Sequence, residues 1–131
     1  MDLNILSLAS ALARHASARQ QVISENVANA DTPGYRARDI RSFGELVDPV
    51  VSGSPAFEAK RTRPEHVAFG SSIDGFEPEM SAAFGAETPN GNSVSLEDQM
   101  MRGAEVQQEH GLAIGVYQKS LTILRSVVAS R

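Results

Sequence analysis

Three histidines are the side chains best suited to catalysis or metal binding in this chain of 131 residues, which contains no cysteine. His15, His66 and His110 lie far apart and show none of the short spacings at which metal ligands recur. Solvated or core histidines explain these positions better. The sequence therefore predicts no metal site and no bound cofactor.

Two pairs of carboxylates, Glu97 with Asp98 and Glu105 with Glu109, have the residue type of a general acid and base. Both pairs fall in a segment with helical periodicity, where capping and exposed surface charge account for them. No motif combines a nucleophile, a base and an orienting group. We therefore expect no enzymatic activity and no small-molecule substrate.

The overall composition restricts the partners further. The net charge is −4, and the twelve basic residues are spread along the chain rather than gathered in a stripe, which argues against nucleic acid. Aromatic residues make up 5% of the chain, so the usual anchors of a ligand pocket are scarce. The first residues, Met1-Asp2-Leu3-Asn4, lack the layout of a cleavable secretory signal, so the general secretory route is not indicated.

Proline and phenylalanine divide the chain into three segments. All six prolines and all five phenylalanines fall between Pro33 and Pro89, while the flanks contain neither. This distribution predicts a discontinuous helical domain formed by residues 1–30 and 93–131. Residues 31–92 form the extended connecting segment.

Each flank has the apolar spacing of a helix. From about Leu3 to Ala30, small or apolar residues recur on one helical face, at Ile5, Leu8, Leu12, Ala16, Ile23 and Val27. The second flank carries an unbroken 3.5-residue repeat, typical of a coiled-coil seam. The repeat comprises Leu96, Met100, Gly103, Gln107, His110, Ile114, Tyr117, Leu121, Leu124 and Val128. Ser95 is the expected N-cap of this second helix.

Neither helix can bury its stripe alone, so the sequence predicts a mainly α fold in which the two long terminal helices form an antiparallel coiled-coil-like pair. The irregular middle returns the chain, and its short apolar pieces at 50–51, 56–59 and 67–69 allow a small β-hairpin. A second stripe on the C-terminal helix either contacts other molecules or packs beneath the middle segment. It consists of Leu112, Val116, Ile123 and Val127.

The run at residues 26–39, Asn-Val-Ala-Asn-Ala-Asp-Thr-Pro-Gly-Tyr-Arg-Ala-Arg-Asp, is the most informative part of the sequence. Pro33 fixes φ and Gly34 tolerates a tight turn, so the first helix must stop here. Asn26 and Asn29 either hydrogen-bond across helices and fix their register, or serve as local caps and turns. Tyr35 is expected to pack with its hydroxyl bonded, within one subunit or between two.

This run resembles the N-terminal signature of flagellar rod and hook proteins, in which a long helix ends in Asn-x-Ala-Asn followed by Thr-Pro-Gly-Tyr. Residues 90–97, Asn-Gly-Asn-Ser-Val-Ser-Leu-Glu, resemble the run that opens the C-terminal helix in those proteins. The Ala30-Asp31 pair and residues 36–39 make the chain most similar to the FlgB family of flagellar basal-body rod proteins.

The resemblance implies a structural subunit of the proximal rod that self-assembles through its terminal helices into a drive shaft and export-channel wall for motility. Its implied partners are other rod subunits, the rod-to-ring adaptor protein, the motor (MS) ring and the export gate. The implied location is the rod of the basal body in the periplasmic space, reached through the flagellar type III export apparatus without a cleavable signal peptide.

The predicted assembly interface combines positions from both helix stripes with positions from the signature. Its residues are Leu8, Leu12, Ile23, Asn26, Asn29, Pro33, Gly34, Tyr35, Leu96, Met100, Ile114, Tyr117, Leu121, Leu124 and Val128. Two alternatives stay open: the closely related second proximal rod protein, and a soluble helical adaptor or export chaperone. The adaptor alternative predicts a stable discrete dimer in place of a polymer-ready subunit.

Overall fold

The computed structural model of the chain describes residues 2–51, 76–81 and 87–129. In chain order the elements are helix α1 at Asp2–Ala28, strand β1 at Arg38–Asp39, helix α2 at Phe43–Val51, strand β2 at Glu79–Met80 and helix α3 at Leu96–Ala129. The predicted mainly α fold with two long terminal helices packed against each other is confirmed. No helix in these ranges is long and apolar enough to cross a membrane.

Helices α1 and α3 run antiparallel. Asn26, near the end of α1, reaches Gln99 near the start of α3, whereas His15 lies beside Glu109 further along. The buried hydrophobic residues are mostly small and comprise Ala9, Ala11, Ala16, Val22, Ile23, Ala37, Ile40, Val106 and Ala113. Because alanine adds one methyl group, the two helices pack closely but remove little apolar surface from water.

The face of α3 that meets α1 differs from the predicted seam. Val106 is 2% exposed and Ala113 1%, whereas the seam residue Met100 is 73% exposed. A strict 3.5-residue repeat drifts by about 20° per heptad around a straight helix of 3.6 residues per turn. The seam therefore starts on the solvent side, and its large side chains are half-buried only at Leu121 and Leu124. The prediction that the whole seam packs against α1 is wrong, because Ile114, Tyr117 and Val128 are exposed as well.

The ends of the long helices follow the predicted signals. Helix α1 ends at Ala28, two residues before the expected boundary, and the chain turns ahead of Gly34, whose φ is +72°. Ser95 Oγ accepts a long hydrogen bond of 3.4 Å from the amide of Asp98, so Ser95 caps α3 as predicted.

The middle segment contains a helix that the sequence interpretation missed. Helix α2 includes Val50 and Val51, so their assignment to a β-hairpin is wrong. The Ser42 carbonyl accepts the Leu46 amide at 3.3 Å, and the Glu45 carboxylate accepts the Ser42 amide at 3.3 Å. The contact of Glu45 with the Ser42 amide is one half of a capping box, and it favours a helix start before the valines are reached.

The predicted β-structure exists at other residues. Strands β1 and β2 form an antiparallel two-stranded sheet in which Arg38 faces Met80 and Asp39 faces Glu79. The pieces at 56–59 and 67–69, and also His66, lie outside the described residues. The sheet fastens residues 79–80 to the segment that follows the α1 turn.

Candidate assembly site at the helix junction

Asn26 is fully buried at the end of α1 and uses its whole amide. Its Nδ2 donates to the Arg38 carbonyl at 2.7 Å and to Gln99 Oε1 at 2.9 Å. Its Oδ1 accepts from the Tyr35 hydroxyl at 3.2 Å and from the Arg38 amide at 3.1 Å. An amide side chain has two donors and room for two acceptor contacts, so Asn26 is saturated. It joins α1, α3 and the turn segment in one register.

Asn92 plays the matching role from the other half of the chain. This side chain is 1% exposed, and its Nδ2 donates to the backbone carbonyls of Asn29 at 2.9 Å and Thr32 at 2.8 Å. Its Oδ1 accepts the Val94 amide at 2.8 Å. The Asn29 and Thr32 carbonyls also accept the Thr32 and Tyr35 amides, so Asn92 ties the turn after α1 to the segment that leads into α3.

Two glycines meet where these segments cross. Gly34 and Gly91 have φ values of +72° and +79°, in the left-handed region that L side chains rarely adopt. The Gly34 amide donates to the Asn90 carbonyl at 3.0 Å, and a Cβ placed on Gly91 would lie 3.5 Å from the Gly34 Cα. Both turns therefore depend on glycine for their backbone conformation. Lack of space is not the reason, because an added Cβ would meet nothing or make ordinary contacts.

An ionic clamp, consisting of Arg19, Asp39, Asp98 and Arg102, lies beside the amide network. Arg19 binds both carboxylate oxygens of Asp39 at 2.9 Å. Arg102 binds Asp39 and also Asp98, its Nε lying 2.9 Å from Asp98 Oδ2, and it donates to Ser81 Oγ at 3.0 Å. One carboxylate thus ties together α1, α3 and the sheet.

Opposing effects set the charge state of Asp39. Burial raises the pKa of its carboxyl group, but the hydrogen bonds and positive charge of Arg19, with the Ile40 amide and Arg102, outweigh burial and lower the pKa below its usual value. The same hydrogen bond raises the pKa of Arg19. The Arg19–Asp39 pair at the centre of the clamp is therefore charged.

His15 lies in the core with no exposed surface. Its Nε2 donates to the Arg41 carbonyl at 2.8 Å, and its ring contacts Phe43 and Phe76 at centroid distances of 5.5 and 5.3 Å. This histidine fastens the middle segment onto α1. Within the described residues, no three His, Cys, Asp or Glu side chains are grouped as metal ligands would be.

The signature residues of the predicted interface have their bonds inside the chain. Ile23 is buried, Leu12 and Tyr35 are half-buried, and the Tyr35 hydroxyl is bonded to Asn26. Asn29 acts locally, because its Nδ2 donates to the Glu25 carbonyl at 2.8 Å. Pro33 and Gly34 are exposed in the turn.

The helical residues of the predicted interface mostly face solvent. Leu8, Leu96, Met100, Ile114, Tyr117 and Val128 are exposed by 41% to 75%. The junction collects signature residues, and the exposed members of the prediction lie on the two long helices outside it. Among the large side chains of the later seam, Leu121 and Leu124 are half-buried.

Sequence reasoning missed Arg19, Asp39, Asn92, Gln99 and Arg102 as site residues. Asp39 and Asn92 lie within the two runs that carry the family resemblance, so their position was a usable signal. Arg19, Gln99 and Arg102 carry no such signal in the sequence. A charged or amide residue on a helix is normally expected at the surface, and only its partner's position in space shows otherwise.

These features define a class of protein. Long terminal helices closed by a polar junction, with apolar residues left on the outside, suit a subunit that packs against others, and the sequence model of the flagella basal body rod protein family matches residues 5–36. Individual relatives show which member of this family the chain is most similar to. The chain is 36% identical over 103 residues to the flagellar basal body rod protein FlgB of Bacillus subtilis, covering 79% of this chain and 75% of that protein.

Two further relatives bear the same name. FlgB of Agrobacterium fabrum is 28% identical over 113 residues, which cover 84% of this chain and 81% of the relative. FlgB of Escherichia coli is 53% identical over 38 residues, 29% of this chain and 28% of the relative. The chain belongs to the FlgB family and is a structural subunit of the flagellar basal body rod. The second proximal rod protein and the adaptor or chaperone alternatives are not favoured.

Proposed function

We propose that this subunit builds the proximal rod by packing its α1–α3 pair against the pairs of neighbouring subunits, with no catalytic step. The rod so formed serves as drive shaft and as the wall of the export channel. The observation that best supports this proposal is the apolar surface of α3. Of fourteen large hydrophobic residues exposed among the described positions, ten lie on this helix.

The energetics favour burial of that surface by other subunits. Full burial of a large apolar side chain contributes about 1.5–3 kcal/mol, so burial of these ten residues by neighbouring subunits would add substantial stability. The core between α1 and α3 is mostly alanine and valine and contributes less. A subunit of this kind gains much of its stability when it docks, which is the behaviour of coupled folding and binding.

The proposed partners follow from the family. They are other rod subunits, the rod-to-ring adaptor protein, the MS ring and the export gate. The proposed location is the periplasmic part of the basal body, reached through the type III export apparatus without a cleavable signal peptide. A cysteine-free chain suits this route because it cannot form disulfides in transit.

Deletion of the gene in its own motile host tests the function. We expect non-swimming cells whose purified basal bodies lack a rod, with both defects restored by the wild-type chain. Val128→Asp places a charge in a side chain that is 75% exposed and proposed to be buried on assembly, so it should fail to restore swimming.

Thr122→Asp is the matched control, because it adds the same charge to an exposed polar position of α3 six residues earlier. It should restore swimming. Secretion of each variant into the medium of a rod-deficient strain separates failed export from failed assembly. Normal swimming and intact rods in the deletion strain would overturn the proposed function.

A further inference from the structure

One side of α3 carries a stripe that α1 does not cover. We call it the flank stripe, and it consists of Met101, Glu105, Leu112, Val116, Lys119 and Ile123. Its spacings of four, seven, four, three and four residues keep the side chains on one side of the helix. Met101 and Leu112 are each 61% exposed and Ile123 is 56% exposed. The stripe borders the buried face that carries Val106 and Ala113.

The exposed charges of α3 are sorted by sign along the helix. Glu97 and Glu105 lie in its first part, and Lys119 and Arg125 lie in its last part. None of the four lies within ion-pair distance of an opposite charge in the described ranges, although Glu105 is close enough to Arg19 to help raise the pKa of that guanidinium. Of these four, Glu105 and Lys119 belong to the flank stripe, so one of its apolar ends carries a carboxylate and the other an ammonium group.

A depression of about 520 Å³ lies at the acidic end of the flank stripe. Among the described residues, Glu105, Gln108, Glu109 and Leu112 line it. An apolar floor with carboxylates at its edge fits an aliphatic side chain that has a cation one helical turn away. Ile123 and Lys119 are four residues apart and supply this pair on the same helix.

We propose that the basic end of the flank stripe docks on the acidic end of the same stripe in a second copy of this chain. The helices run parallel with a shift of fourteen residues, about 21 Å at 1.5 Å per residue. The partner subunit's Lys119 then faces Glu105, and the partner subunit's Ile123 enters the depression beside Leu112. This inference rests on the proposed function, because it takes the subunit to form an open assembly.

The parallel, shifted arrangement leaves a surface for growth. Each copy offers one acidic and one basic end, so the contact repeats from copy to copy without closing. A two-fold antiparallel contact would also pair Glu105 with Lys119, but it would use both ends of both copies and stop at a dimer. The two arrangements make different predictions for crosslinking.

Exchanging charges in the purified full-length chain tests the proposed pairing of Glu105 with the partner subunit's Lys119. Glu105→Lys or Lys119→Glu alone should weaken self-association about tenfold at low salt, because an attraction becomes a repulsion. The double variant Glu105→Lys/Lys119→Glu, or a mixture of the two single variants, should restore association to within about threefold. Sedimentation velocity measures each case. Arg125→Glu is the control, because it makes the same charge change on another side of α3.

Crosslinking tests whether the two helices run parallel or antiparallel. Because the chain contains no cysteine, every disulfide formed must involve the introduced residues. Leu112→Cys mixed with Ser126→Cys should give the mixed disulfide, since these positions are fourteen residues apart and meet in the shifted arrangement. A disulfide between two copies of Leu112→Cys would instead show the two-fold contact and overturn the proposal. Failure of the double variant to recover association would also overturn it.

The two proposals fail separately. A wild-type chain that does not self-associate at about 1 mM, the level of the weakest specific binding, overturns this inference. The rod function would then stand on contacts with other rod proteins. Swimming of the deletion strain overturns the function whatever the purified chain does.

Discussion

Replacing Asn26 with alanine removes the central group of the helix junction. The substitution deletes four hydrogen bonds at 2.7 to 3.2 Å and leaves the Tyr35 hydroxyl, the Gln99 amide oxygen and both backbone groups of Arg38 without their partner. Each such bond contributes about 1 kcal/mol net, so the variant should lose about 4 kcal/mol of its free energy of unfolding. A single domain of this size has only about 5–15 kcal/mol in total.

Urea unfolding followed by circular dichroism at 222 nm measures this loss. With a slope of about 2 kcal/mol per molar urea, typical of a small domain, a loss of about 4 kcal/mol moves the midpoint down by about 2 M. The slope itself should stay the same, because the substitution changes one buried contact and not the surface exposed on unfolding.

Asn29→Ala is the matched control, since it removes the same side chain three residues later. Its side chain makes only local contacts, donating to the Glu25 carbonyl and accepting the exposed Thr32 hydroxyl, and its own backbone carbonyl stays available to Asn92. We expect a loss of about 1 kcal/mol. Equal losses for the two variants, or a midpoint shift below about 0.5 M for Asn26→Ala, would refute the junction argument.

Two further predictions concern the clamp and the turns. The pKa of Asp39 is lowered in the folded state, so its stabilising effect is present above the unfolded value of about 3.9 and is lost as the pH falls through the folded value. Asp39→Asn should therefore cost about 3 kcal/mol at pH 7, because Arg19 and Arg102 lose their shared carboxylate, and the difference from wild type should shrink towards pH 3 in unfolding experiments. A difference independent of pH would contradict the clamp. Gly34→Ala should cost about 1–2 kcal/mol from its left-handed backbone and Gly34→Asn clearly less, which thermal unfolding can resolve, and equal costs would contradict the φ argument.

Much of the fold could be predicted from the sequence. Apolar periodicity and the absence of proline in both flanks were enough for α1 and α3, and Ser95 marked the start of α3. These signals are local, because helix formation and capping depend on residues a few positions apart. Helix α2 was missed because the proline at position 49 and the adjacent valines argue against a helix, whereas Ser42 and Glu45 favour one.

The site was less accessible to sequence reasoning. The signature identified Asn26 and Tyr35, but their partners Gln99 and Arg38 come from other segments. A periodicity argument also placed the helix contact on the wrong side of early α3, because a small drift per turn accumulates along a straight helix. Val106 and Ala113 are buried for this geometric reason and not for any special apolar character.

By itself, the sequence determined the two long helices, the forced turn at Pro33 and Gly34, and the relationship to flagellar rod proteins, since each depends on neighbouring residues or on a string of letters. Only the tertiary structure decided which polar groups meet. Asp39 is bound by arginines twenty residues earlier and sixty-three residues later, and Asn92 holds carbonyls at Asn29 and Thr32. Hydrogen bonds and ion pairs act over a few ångströms in space, so separation along the chain does not reveal them.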